Sequence, residues 1–126
     1  MDTQQFNCLP LYGRRIFIVE EDDALYCLIN RVLLQAGGET LGALAHFPDM
    51  SVMIPAMRID AAVVDVDGRD TSLLSLVDAI GRRDIPMLFI GGQPTPEFSA
   101  ARHAGHARIG KPMRQQDLID GVIHLL

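Results

Sequence analysis

The chain has 126 residues, 48% of them hydrophobic and 21% charged, which suits one ordinary globular domain with a single continuous core. Its formal net charge of −5 argues against a nucleic-acid-binding face, which is usually basic. No run approaches the roughly 18 apolar residues of a membrane span, the opening residues lack a secretory signal pattern, and Cys8 and Cys27 are too few for a disulfide framework, so a cytoplasmic protein is expected.

Residues 1–13 are polar, carry Pro10 and Gly13, and read as a flexible leader to a domain spanning 14–126. Arg15-Ile16-Phe17-Ile18-Val19 is a short apolar, β-branched run that reads as a buried strand. It ends abruptly in Glu20, Glu21, Asp22 and Asp23. Leu25, Leu28, Ile29, Val32, Leu33 and Ala36 then recur at helical spacing until Gly37-Gly38 stops the helix. A second strand is expected from Thr40 to Leu44, and Pro48-Asp49 opens a short helix that Pro55 curtails.

Ala61 to Val64 form a third strand, ending at Asp65, and Leu73, Leu74, Val77 and Ile80 mark a helix. Pro86 introduces a fourth strand, Met87 to Ile90, closed by Gly91-Gly92. A weaker helix is expected from about Pro96 to Ala104, and a fifth strand from Ala107 to Ile109. After Gly110-Lys111-Pro112, a last helix carries Leu118, Ile119, Val122, Ile123 and Leu126.

Five strands alternating with five helices predict an α/β fold, a doubly wound five-stranded parallel sheet with helices on both faces. The expected order is the flavodoxin-like 2-1-3-4-5. In such sheets the functional crevice lies beyond the carboxyl ends of the strands. There the first strand delivers Glu20 and Glu21, the third Asp65, the fourth Gly91 and the fifth Lys111, the only lysine beside ten arginines. A GC-rich genome explains that bias; so does a site that needs a compact ammonium in place of guanidinium. With the order 2-1-3-4-5 the first and third strands are neighbours, and their acids meet.

Two carboxylates about 4 Å apart repel by roughly 4 kcal/mol at an effective dielectric near 20, so the cluster must hold a proton, a cation or a cationic side chain. Hard oxygen donors without His or Cys favour Mg²⁺. A carboxylate beside such a metal can act as a nucleophile toward a phosphoryl donor, with an ammonium opposite to hold a phosphoryl oxygen.

The run Ile-Phe-Ile-Val-Glu-Glu-Asp, then Asp60-Ala-Ala-Val-Val-Asp65, then Gly110-Lys111-Pro112 resembles the response-regulator receiver family over about residues 14–126. The resemblance implies that Asp65 is the phosphoacceptor. Glu20 and Glu21 would be the acidic pair that serves Mg²⁺, with Asp22 as a substitute for Glu21, which is one methylene longer than the family's usual Asp. The backbone carbonyl of Asp67 would be a further metal ligand, and Lys111 would contact the phosphoryl group, followed by a proline whose peptide bond is often cis in this family.

Two positions depart from the family pattern: Gly91 stands in place of Thr or Ser, and Arg108 in place of an aromatic residue. The usual hydroxyl–aromatic relay therefore has neither side chain. Backbone N–H groups of Gly91 and Gly92 are expected to take over phosphoryl contact, with Gln93 or Thr95 as substitutes. The segment Pro86 to Gly92 also partly resembles a free-standing bacterial receiver subgroup that carries Pro-Phe-x-Phe-Ala-Thr-Gly and partners with sensor histidine kinases.

Other readings stand beside this one. The acids after the first strand also suit a solvated helix start. A pseudo-receiver would keep the fold as a phosphorylation-independent interaction module. Asp65-Val-Asp67-Gly68 also resembles the nucleophile motif of haloacid-dehalogenase-type phosphatases, although only Asp117 and Asp120 follow Lys111. His46, His103, His106 and His124 show no ligand pairing, and Met50, Met53 and Met57 read as core filler. The expected partners are a sensor histidine kinase or histidine phosphotransfer protein, a downstream protein and a second copy of the chain, with no appended DNA-binding module.

Overall fold

Short runs rich in β-branched and aromatic residues, bounded by charged residues, Gly or Pro, form the strands β1 (Arg15–Val19), β2 (Glu39–Ala43), β3 (Ala61–Asp65), β4 (Met87–Ile90) and β5 (His106–Ile109). The structure is a computed structural model, and it describes residues 9–43, 57–67, 72–92 and 106–126. All four pairings are parallel, in the order β2-β1-β3-β4-β5 that the sequence predicts. Every residue of β3 and β4 is buried, as central strands of a covered sheet require.

Helices α1 (Asp23–Gln35), α2 (Ser72–Arg82) and α3 (Gln115–Leu125) cover the two faces. Ile16, Ile18, Ala61, Val63, Leu88 and Ile90 face Ile29, Val32 and Leu33 of α1 and Leu118 and Val122 of α3. Phe17, Val19, Ala62, Val64, Met87 and Phe89 face Leu76, Val77 and Ile80 of α2. Burying each of the Val, Leu, Ile, Phe and Met side chains among them contributes roughly 1.5–3 kcal/mol against conformational entropy. The helices expected at Pro48 and at Pro96 to Ala104 lie outside the described residues, and among the described residues no helix is long and apolar enough to cross a membrane.

The ends of α1 are set by sequence. Asp22 caps its start, its Oδ1 accepting from Leu25 N–H at 2.9 Å. Gly37, at φ +95°, closes it: Gly37 N–H donates to Leu34 O and Gly38 N–H to Leu33 O, each at 3.0 Å. A boundary expected from sequence moves here. Leu11, assigned to the leader, is fully buried in the core, and its N–H donates to Ala36 O at 2.9 Å. The nearby breakers Pro10 and Gly13 hid one core leucine. Residues 1–8 lie outside the described residues.

Strand register positions the site. Val19 pairs with Val64, so the next residues, Glu20 and Asp65, emerge side by side. Asp65 pairs with Ile90 and Ile90 with Ile109, which aligns Gly91 and the Gly110-Lys111 turn with the same edge.

Candidate functional site

Glu20 and Asp65 are the buried charged residues of the described chain, 1% and 7% exposed. Glu20 is buried because β1 lies between β2 and β3, with α1 rising from the turn just beyond it. Its Oε1 accepts from Asp22 N–H at 3.0 Å, while its buried Oε2 has no hydrogen-bond partner. Asp65 Oδ1 accepts from Asp67 N–H at 2.8 Å, a turn of the Asx type that folds the chain back over the end of β3. Asp65 Oδ2 accepts from Lys111 Nζ at 2.9 Å.

Lys111 reaches Asp65 from the turn after β5, and the Lys111-Pro112 peptide bond is cis. Its Nζ also lies 3.4 Å from Asp67 Oδ2, while Asp67 Oδ1 accepts from Gly92 N–H at 3.2 Å. Gly91 N–H is committed to the sheet, donating to Ile109 O at 2.9 Å. Of the two glycine N–H groups expected at the site, Gly92 therefore faces the acids and Gly91 belongs to the ladder.

Burial and the neighbouring Asp65 push the Glu20 carboxyl up to about 8, against the opposing effects of Asp22 N–H and Lys111. Burial also acts to raise Asp65, but contact with Glu20, the Lys111 ammonium and Asp67 N–H outweigh it and hold this carboxyl below the usual range. Burial acts to lower the Lys111 ammonium, and Asp65 and Asp67 more than offset it, so its value rises. One acid keeps its proton, the other stays ionised, and the ammonium stays charged. The Glu20 proton can then bridge the two acids, which accounts for an Oε2 that is unpartnered as a carboxylate.

Glu20 and Asp65 are hard oxygen donors, and the orphaned Oε2 marks a place where a proton or a cation is needed. Among the described residues, no three His, Cys, Asp or Glu side chains gather into a cation cage. The arrangement suits an ion that takes one or two carboxylates and keeps water.

The remaining sequence candidates sort by geometry. Asp22 is committed to capping α1, and Glu21 is half-buried in the same turn. Arg108 is exposed, paired in register with Phe89 on the α2 side of the sheet. Gln93, Thr95, His46 and His103 lie outside the described residues. Asp117 and Asp120 are engaged on the surface of α3, with Arg114 at 3.1 Å and Gln116 at 2.8 Å, so they give no support to the acidic metal motif of a phosphatase.

Sequence reasoning missed the Asp67 side chain. Within the receiver resemblance it assigned that residue a backbone role only. The available signal was an acidic side chain two residues after Asp65 together with the space left by glycine at 91.

No family model matches the sequence, and no curated protein matches it. Solved structures do. The chemotaxis protein CheY4 of Vibrio cholerae superposes with a TM-score of 0.70 at 17% identity, over 90% of this chain and 98% of that one. The signal receiver domain of a modulated diguanylate cyclase from Desulfovibrio desulfuricans gives 0.69 at 20% identity, over 88% and 91%. The beryllofluoride-activated NtrC4 receiver domain dimer gives 0.68 at 16% identity, over 88% and 94%. The chain has the fold of response-regulator receiver domains.

Proposed function

We propose that this receiver-fold chain is a cytoplasmic response regulator that accepts a phosphoryl group on Asp65, in a Mg²⁺-dependent reaction, from a histidine kinase or histidine phosphotransfer protein. The observation that carries the proposal is Asp65 itself: buried, its carboxyl held below the usual range, and 2.9 Å from the only lysine at the carboxyl end of a parallel sheet. An ionised carboxylate is the nucleophile that phosphoryl transfer requires. An Asp65 oxygen forms a bond to phosphorus as the bond from phosphorus to the donor's imidazole nitrogen breaks, and the electron pair of that bond leaves with the imidazole. Lys111 holds a charged oxygen of the group in transit, and Gly92 N–H supplies a second donor.

Glu20, Asp65 and the Asp67 carbonyl would hold Mg²⁺, with Glu21 completing the acidic pair. When bound, the ion neutralises charge on the phosphoryl oxygens. Glu20 must release its proton to serve as a ligand. Output then proceeds by protein contact, with a downstream protein or a second copy of the chain as partner, and without the hydroxyl–aromatic relay that Gly91 and Arg108 cannot form.

A phosphorylation-independent interaction module is the second reading, favoured by the Asp67 carboxylate, which already meets Lys111. One experiment separates the two: incubation with phosphoramidate or acetyl phosphate and Mg²⁺, read by intact mass. The phosphoacceptor reading expects one phosphoryl adduct that is labile to hydroxylamine and absent in Asp65→Asn. An unmodified wild-type chain leaves the interaction module as the better account.

A further inference from the structure

Asp67 enters the site in a way that a backbone ligand does not require. Once its N–H is tied to Asp65 Oδ1, its side chain lies between two donors that converge from β4 and β5. Oδ2 is 3.4 Å from Lys111 Nζ, and Oδ1 accepts from Gly92 N–H at 3.2 Å. An ammonium and a backbone N–H converging on one point make a seat for any oxyanion. Here a side chain of the protein fills it.

The sequence makes room for that side chain at one position. A Cβ at Gly91 would clash with Asp67 Oδ2 and lie 2.7 Å from its Cγ, so something would have to move. The Gly91 backbone, at φ +112°, also disfavours any residue with a side chain. Asp67 and Gly91 thus act as a pair: the glycine leaves the space, and the carboxylate takes it.

We propose that the Asp67 carboxylate is an internal anion that occupies the oxyanion seat of Lys111 and Gly92 and restrains entry of a phosphoryl group until it is displaced. The geometry of the plug is independent of the phosphoacceptor reading; its regulatory consequence rests on that reading. Both anions use the same donors, so they compete. With about half of its side chain exposed, Asp67 has water to move into when it leaves. Replacing this side chain keeps the backbone carbonyl and the turn at Asp65.

The test titrates orthophosphate, in the presence of Mg²⁺, into wild type, Asp67→Asn and Asp67→Ala, read by the Gly92 amide and Lys111 Nζ resonances. Thermal melts confirm that each variant folds, and Asp67→Asn keeps the side chain's size while removing its charge. We expect Asp67→Ala to bind orthophosphate about tenfold more tightly than wild type, equivalent to 1.4 kcal/mol, with Asp67→Asn between them. Equal or weaker binding by Asp67→Ala, or no response in any of the three proteins, overturns the plug. A second arm measures phosphoryl uptake on Asp65, expected to be faster in Asp67→Ala. If orthophosphate binding improves in Asp67→Ala while Asp65 accepts nothing in either protein, the plug stands and the phosphoacceptor reading falls.

Discussion

The two ends of one sheet carry the same kind of residue in opposite circumstances. At the amino end, Asp60 precedes β3, and its Oδ2 accepts from Arg15 N–H at 2.7 Å and from Arg58 at 2.9 Å. Its neighbours answer its charge, and the result is a clasp between the starts of β1 and β3. At the carboxyl end, Glu20 and Asp65 emerge from the same two strands, with one ammonium on Asp65 and one buried Glu20 oxygen without a partner. The difference is completeness. An acid whose partners are supplied by the chain holds structure together, whereas a buried acid pair with one oxygen left unpartnered is ready to receive something else.

Substitution at matched positions breaks the comparison most sharply. Asp65→Asn should abolish phosphoryl acceptance, whereas Asp60→Asn should retain it and lose about 1 kcal/mol of stability, measured by denaturant unfolding. Phosphoryl acceptance by Asp60→Asn at less than a tenth of the wild-type rate would mean that the two ends are not independent.

Lys111→Met should slow uptake from a small-molecule phosphodonor by about 100-fold, the usual effect of removing one donor to the transferring group. Lys111→Arg should fail to restore it, because a planar guanidinium does not reproduce a point ammonium. The rate of adduct formation checks both.

Stability against pH separates the two acids. Glu20 has its carboxyl raised from 4.5 to about 8 on folding, so the folded state binds the extra proton, and stability falls as pH rises through that interval. Asp65, held below its ordinary 3.8, stabilises the fold above that value, and its contribution is lost as pH falls through the lower folded value. Glu20→Gln should remove the decline on the alkaline side, leaving the variant more stable than wild type by about 2 kcal/mol at pH 8 without Mg²⁺. Denaturant unfolding across pH reads this directly, and an unchanged wild-type slope in the variant would contradict the assignment.

The mildest effect belongs to Asp22. Asp22→Ala should cost about 1 kcal/mol through the lost α1 cap and leave phosphoryl uptake unchanged. A large loss of uptake would return Asp22 to the cation site.

Much of this was legible in the chain. The parallel α/β class followed from alternating apolar runs, the expected flavodoxin-like order matches the sheet, and the pairing of Val19 with Val64 brings Glu20 and Asp65 together as that order requires. Burial of both acids follows from their place at the ends of neighbouring central strands, Val19 pairing with Val64. Three features escaped. Leu11 sits in a short stretch broken by Pro10 and Gly13, which gives no period to read. The loss of Gly91 N–H to Ile109 O depends on β4–β5 pairing beyond the last strand residue, which composition does not encode. The Asp67 side chain turns into the site only because its own N–H is tied to Asp65, a local hydrogen bond with no signature in hydropathy.

Titration with beryllofluoride, followed by amide and lysine resonances with and without Mg²⁺, tests whether Glu20, Asp65 and Lys111 form one incomplete pocket. The account predicts saturable shifts at Gly92 and Lys111 that require Mg²⁺ and vanish in Asp65→Asn. Shifts of the same size in Asp65→Asn, or none in the wild-type protein, would contradict it.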